Sequence, residues 1–88
     1  MAYVEVRDSV VWAKHIHGDN ALRGRLLGLD GGAPIRLRVD GFEGIWVKMD
    51  DGKDGRPTNG IKPIGPAKEH LAELFKTKRG EIVEVEAL

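Results

Sequence analysis

Few residues in this chain have side chains suited to chemistry, and their spacing limits what they can do. The run DDGKDG (residues 50–55) puts Asp50, Asp54 and Gly55 at positions one, five and six of a calcium-type loop. Position three is then Gly52, which has no side-chain oxygen. Position twelve is Ile61, where a bidentate Glu is required. A solvated turn is the better reading. Asp50, Asp51 and Asp54 could also serve acid–base hydrolysis, but that needs two carboxyls at a defined separation across a pocket. Carboxylates on one Gly-rich loop do not hold such a geometry, so a small hydrolase using this loop is a lesser alternative.

His15 and His17 form an H-x-H pair. On a strand both rings face one way; on a helix they diverge by about 200°. His70 could complete a ligand set only if folding brought it near, and no metal site is assigned. Ser9 is the only serine and lacks the G-x-S-x-G setting; the chain has no cysteine. Neither a phosphate-binding P-loop nor a dinucleotide fingerprint is present. No catalytic residue and no cofactor are assigned, and the chain is not expected to be an enzyme.

The arginines are the strongest clue to function. Arg23, Arg25, Arg36 and Arg38 are read as lying on two neighbouring strands, where like charges facing each other destabilise a sheet. Glu5, Glu43, Glu84 and Glu86 can offset them within the fold as a charge ladder. The alternative is an external acid, such as an acidic ligand, a partner's carboxylates or a phosphate backbone, gripped by the guanidinium forks.

The elements that must position these groups follow from hydrophobic periodicity. AYVEVRD alternates as a short half-buried strand, with Val4 and Val6 on one side. Residues 9–17 are read as a short helix capped by Asp8 or Ser9 and ended by Gly18, with the two adjacent valines and the short length leaving a strand open. ALRGRLLGL is read as a strand in which Gly24 and Gly28 mark a bulge or a close approach. PIRLRVDG is the clearest strand, and Asp40-Gly41 signals a hairpin into FEGIWVKM. A two-residue turn pairs Val39 with Phe42 and Ile35 with Trp46, which puts Trp46 on the Ile35/Leu37/Val39 face. A three-residue loop exchanges the faces and sets Trp46 beside the arginines. Both registers are open.

DDGKDGRPTNGIKPIGP is read as a long loop of the kind that often carries function. Pro66 then opens a helix whose apolar stripe is Ala67, Leu71, Leu74 and Phe75. Lys76, Lys78 and Arg79 suit the negative end of its dipole, and Gly80 stops it. EIVEVEAL closes as a strand. The fold class is mainly β (α+β): a small curled antiparallel sheet or SH3-like barrel of about five strands with one helix in the C-terminal half. Residues 1–88 are expected to form a single domain.

Lys plus Arg and Asp plus Glu both number 14, so the formal net charge is zero. That speaks against general nucleic-acid binding, which draws its affinity from neutralised phosphates. The absence of cysteine favours a reducing compartment, and MAYVEVRDS lacks the apolar run of a signal peptide, so a cytoplasmic location is expected. No stretch approaches the roughly 18–20 apolar residues that span a bilayer, so no membrane partner is expected.

The runs RGRLLGLD, RLRVDGFEGIWVKM and DGKDGRPTNGIKPIGPAKE cover most of the chain. In them the chain resembles a group of small bacterial proteins carried on mobile integron gene cassettes. The DGRPTNGIKPIG segment carries the most specific part of the likeness. The resemblance implies a compact bacterial cytoplasmic domain with an accessory binding role. It supplies no catalytic or binding residue.

The reading that best fits these features is a non-enzymatic binding module for a protein partner or small acidic ligand. Its expected contact surface is Arg36, Arg38, Trp46, Lys48, Asp54 and Arg56. Self-association through the same surface is a further possibility. The runner-up is a nucleic-acid-binding small barrel that uses the arginine strands, the KTKR run and Trp46 as a stacking ring.

Overall fold

A computed structural model describes residues 1–49 and 59–88. The elements are β1 (Ala2–Glu5), β2 (Val11–Trp12), a 3-10 turn (Ala13–His15), α1 (Asn20–Leu27), β3 (Pro34–Val39), β4 (Phe42–Lys48), β5 (Gly60–Ile64), α2 (Pro66–Thr77) and β6 (Ile82–Ala87). The strands form one antiparallel sheet in the order β1-β6-β3-β4-β5-β2. The chain leaving β2 reaches back to β1, where Tyr3 and His17 exchange backbone hydrogen bonds of 2.9 and 3.0 Å. The two sheet edges are thereby drawn together into a nearly closed barrel. The mainly β fold expected from periodicity is the one observed, with one strand and one helix more than expected.

The β3–β4 hairpin fixes the register. Asp40 and Gly41 have φ values of 50° and 78°. Both central residues of a two-residue type I′ turn require positive φ, and this turn follows the twist of its strands. Val39 therefore faces Phe42, and Ile35 faces Trp46. Alternation then turns Phe42, Gly44, Trp46 and Lys48 inward and leaves Glu43 and Ile45 outward. The inward set meets Val4, Ile35, Leu37, Val39, Ile61, Val83 and Val85 in one core.

Helix α2 covers that core with Ala67, Leu71 and Leu74 buried and Phe75 packed at the margin. Pro66 occupies its first turn as expected, and Gly80 (φ 87°) follows its end. The helix comes close to β4 at Gly44, where an added Cβ would lie 2.5 Å from the Ala67 Cβ. Glycine is required at that contact because nothing larger leaves room for the helix.

Three sequence expectations are corrected. ALRGRLLGL is not a strand: residues 20–27 form α1, capped by Asp19, whose Oδ1 accepts from the Leu22 N–H at 2.9 Å. Leu22 and Leu26 are buried, and their four-residue spacing is helical. Gly24 marks no close approach, since nothing lies within 4 Å of a Cβ placed there.

Residues 9–17 are not an α-helix but β2 followed by the 3-10 turn. Asp8 caps no helix; its carboxylate instead accepts from Val10 N–H at 3.0 Å and from Trp12 Nε1 at 2.9 Å, and the 3-10 turn that follows has no side-chain cap. The β-branched pair Val10–Val11 and the pairing of Val11 with Ile61 favour extended chain over helix.

Residues 60–64, assigned to the long loop, are strand β5. Met49 N–H donates to Gly60 O at 3.0 Å, so hydrogen-bonded pairs fall at alternate positions along β4–β5. Pro63 occupies a position whose nitrogen points away from β4 and past the end of short β2, so its missing N–H leaves no gap in the ladder.

Candidate binding face

The outer faces of β6, β3, β4 and β5 form one continuous surface. One cross-strand row on it runs Glu86, Arg38, Glu43, and the next runs Leu88, Arg36, Ile45, Ile64. Arg38 is committed within the fold, its Nη1 lying 2.7 Å from Glu86 Oε2. This is one pair of the charge ladder expected from Glu5, Glu43, Glu84 and Glu86; Glu5 pairs instead with Arg7. Arg36 is exposed and makes no ion pair with any described residue, and the same holds for Glu43.

Around Arg36 the surface is unusually apolar. Ile45, Ile64 and Leu88 keep 43%, 42% and 46% of their surface exposed. Beside Arg36 and Ile45, the outer strands and the start of α2 (Gly65, Pro66) enclose a shallow groove of about 440 Å³. The guanidinium at its rim has five donors and no acceptor, so its natural complement is a carboxylate or another planar anion.

Two members of the expected contact surface point the other way. Trp46 is 2% exposed, sealed in the core by the two-residue hairpin register, and cannot touch a ligand. Lys48, on the same inward parity, is 3% exposed. Its Nζ donates to the Leu26 carbonyl at 2.8 Å and the Leu27 carbonyl at 3.4 Å. An ammonium at the C-terminal carbonyls of α1 complements the negative end of that helix. Lys48 therefore has a structural role. Asp54 and Arg56, with Asp50 and Asp51, lie outside the described residues.

The remaining cations are dispersed. Arg23 and Arg25 ride on α1, not on a strand beside β3, so the four arginines do not form one patch. Lys78 Nζ binds Asp40 Oδ2 at 3.0 Å, and Arg79 sits 5.2 Å from the Phe75 ring centre. The histidines are separated by context. His17 lies against Tyr3, with ring centres 5.7 Å apart, and His70 stacks on Phe42 at 4.5 Å.

His15 borders a small cavity of about 10 Å³ with Asp8, Trp12 and Leu71, and its buried Nδ1 has no hydrogen-bond partner. Burial, then Arg7 and Lys14, lower its pKa from the ordinary 6.5, against an opposing pull from Asp8. Among the described residues no three His, Asp or Glu side chains come together in a way that could hold a metal ion. No helix among them is long and apolar enough to cross a membrane.

Ile45, Ile64, Leu88 and Glu43 were not singled out from sequence as surface residues. The signal was available for Ile45: under the two-residue turn it must face outward with Arg36. Ile64 was hidden by the reading of its segment as loop. No family model matches the chain, and searches of curated proteins and of solved structures find no match.

Proposed function

We propose that this chain is a non-enzymatic binding module whose contact surface is the outer face of β3, β4 and β5, centred on Arg36. The observation that carries this reading is an exposed guanidinium with no ion pair among the described residues, set among Ile45, Ile64 and Leu88 at the rim of a groove. A partner that buries those side chains must also bring an acid for Arg36, because a desolvated, unpaired charge is costly. The partner chemistry that fits is a protein segment carrying a carboxylate between apolar side chains. A small acidic ligand with an apolar body would use the same groove.

An accessory role of this kind agrees with the resemblance to gene-cassette proteins. The nucleic-acid alternative is weaker, because the ring it would use for stacking, Trp46, is buried, and two of the three KTKR cations are engaged, Lys78 at Asp40 and Arg79 at Phe75.

An amide-resolved NMR titration tests the proposal. The probe is an acetylated peptide alternating valine and glutamate, and the control replaces glutamate with lysine. Shifts confined to β3, β4 and β5, absent with the lysine peptide and abolished by Arg36→Glu, are expected. Equal responses to both peptides, or a response that survives Arg36→Glu, would remove Arg36 as the anchor.

A further inference from the structure

We infer that the partner on this face is a second copy of the chain, docked about a two-fold axis that places Arg36 of each copy on Glu43 of the other. The inference rests on the reading of this face as a contact surface and names its occupant. Arg36 lies across from Ile45 in the β3–β4 ladder, and Glu43 is two residues along β4 from Ile45. The two are therefore diagonal neighbours, with Cα atoms about 7–8 Å apart. Both are exposed, and neither is ion-paired with a described residue, since Arg38 is taken by Glu86.

A contact between identical copies is isologous: where one residue meets another across it, the reverse contact also forms. A patch carrying a single sign of charge would repel its own copy. This one offers both signs beside Ile45, with Arg36 across from it on β3 and Glu43 two residues along β4, and Lys62 as a further exposed cation on the outer side of β5. Turning a second copy by 180° about an axis between Arg36 and Glu43 forms two opposite-charge pairs and brings the Ile45/Ile64 surfaces together. An arbitrary acidic partner would satisfy Arg36 but would have to leave Glu43 facing solvent or supply a cation for it.

Size sets the expected strength. With strands about 4.8 Å apart and residues about 3.3 Å apart along them, the patch measures roughly 15 Å in each direction. That is well below the ~800 Å² per partner of a stable complex, so the dimer should be reversible, with dissociation in the micromolar range or weaker.

Sedimentation velocity from micromolar to millimolar protein is the test, applied to the parent chain, Arg36→Glu, Glu43→Arg and an equimolar mixture of the two variants. The parent should shift to dimer as concentration rises. Each single reversal sets like charges against each other and should weaken association at least ten-fold. The mixture restores both opposite-charge pairs and should dimerise again, a rescue that a folding defect cannot produce. A parent that stays monomeric to millimolar concentration overturns the inference, as does a dimer indifferent to both reversals. If the parent is monomeric but the glutamate peptide still shifts the Arg36 face, only self-pairing falls and the contact-surface reading stands.

Discussion

The ammonium of Lys48 lies 2.8 Å from the carbonyl oxygen of Leu26, joining the last residue of β4 to the last turn of α1. Lys48 is 3% exposed, and the backbone carbonyls at the negative end of a helix help to compensate its buried charge. Lys48→Met keeps the length and apolar stem of the side chain but removes the donors. It should destabilise the fold by about 1–3 kcal/mol, the range for buried acceptors left without a partner. Urea unfolding monitored by circular dichroism measures this. A midpoint equal to that of the parent would mean that the contact contributes nothing.

The hairpin register can be read from fluorescence. Trp46 is sealed in the core, whereas Trp12 is half-buried with its Nε1 bound to Asp8 and Lys14 5.7 Å from its ring centre. In a Trp12→Phe variant the remaining indole should emit at short wavelength and resist iodide quenching. Quenching as efficient as that of free indole would place Trp46 outside, beside the arginines. Truncation by Trp46→Ala should cost about 3–5 kcal/mol, as for other large buried aromatics.

Two glycines should respond to alanine in opposite directions. At Gly44 the new methyl would fall 2.5 Å from Ala67 Cβ, so α2 or β4 must move. Overpacking of this kind costs about 1–3 kcal/mol. At Gly24, inside α1, nothing lies within 4 Å, and alanine removes a flexible residue from a helix. Gly24→Ala should stabilise by about 0.5–1 kcal/mol. Thermal melts of the two variants against the parent decide the matter, and a rise for Gly44→Ala would refute the helix–strand contact.

Where hydrophobic alternation or a cap was unambiguous, the sequence was readable. The alternation of Ile35, Leu37 and Val39, the Asp40-Gly41 turn, the Pro66 start and the Ala67/Leu71/Leu74 stripe all specify local structure without help from distant residues. The failures have separate causes. Leu22 and Leu26 are spaced for a helix, but Gly24 between them weakens helix propensity and suggested a strand. Lys48 belongs to the expected surface only under the three-residue hairpin loop; the two-residue turn points it inward, to the end of α1. Pro63 disguised β5, because its acceptability depends on where β2 ends, which is a tertiary fact. Arg36 and Arg38 were legible as outward residues; that Glu86 engages one and leaves the other free depends on strand order.

His15 gives the fold a pH dependence of known sign. Its Nδ1 is buried without a partner, and the charged groups around it are Arg7, Lys14, Asp8 and His17, with Glu5 drawn to Arg7 at 3.0 Å. Because burial and the two cations lower its pKa below 6.5, the folded chain holds this proton less readily than the unfolded chain does. Stability therefore rises with pH across the interval between the lowered value and the ordinary one. Above about 6.5 the imidazole is neutral in both states and opposes folding no further. As pH falls through that interval, the unfolded chain gains a proton the folded chain resists, and the full penalty is reached below the folded pKa. His15→Gln removes the titration while keeping a polar side chain. The melting temperature of the parent relative to His15→Gln should therefore drop between about pH 7.5 and about pH 5.5. A difference that stays constant across that range would show that His15 takes up its proton as easily in the folded chain as in the unfolded one.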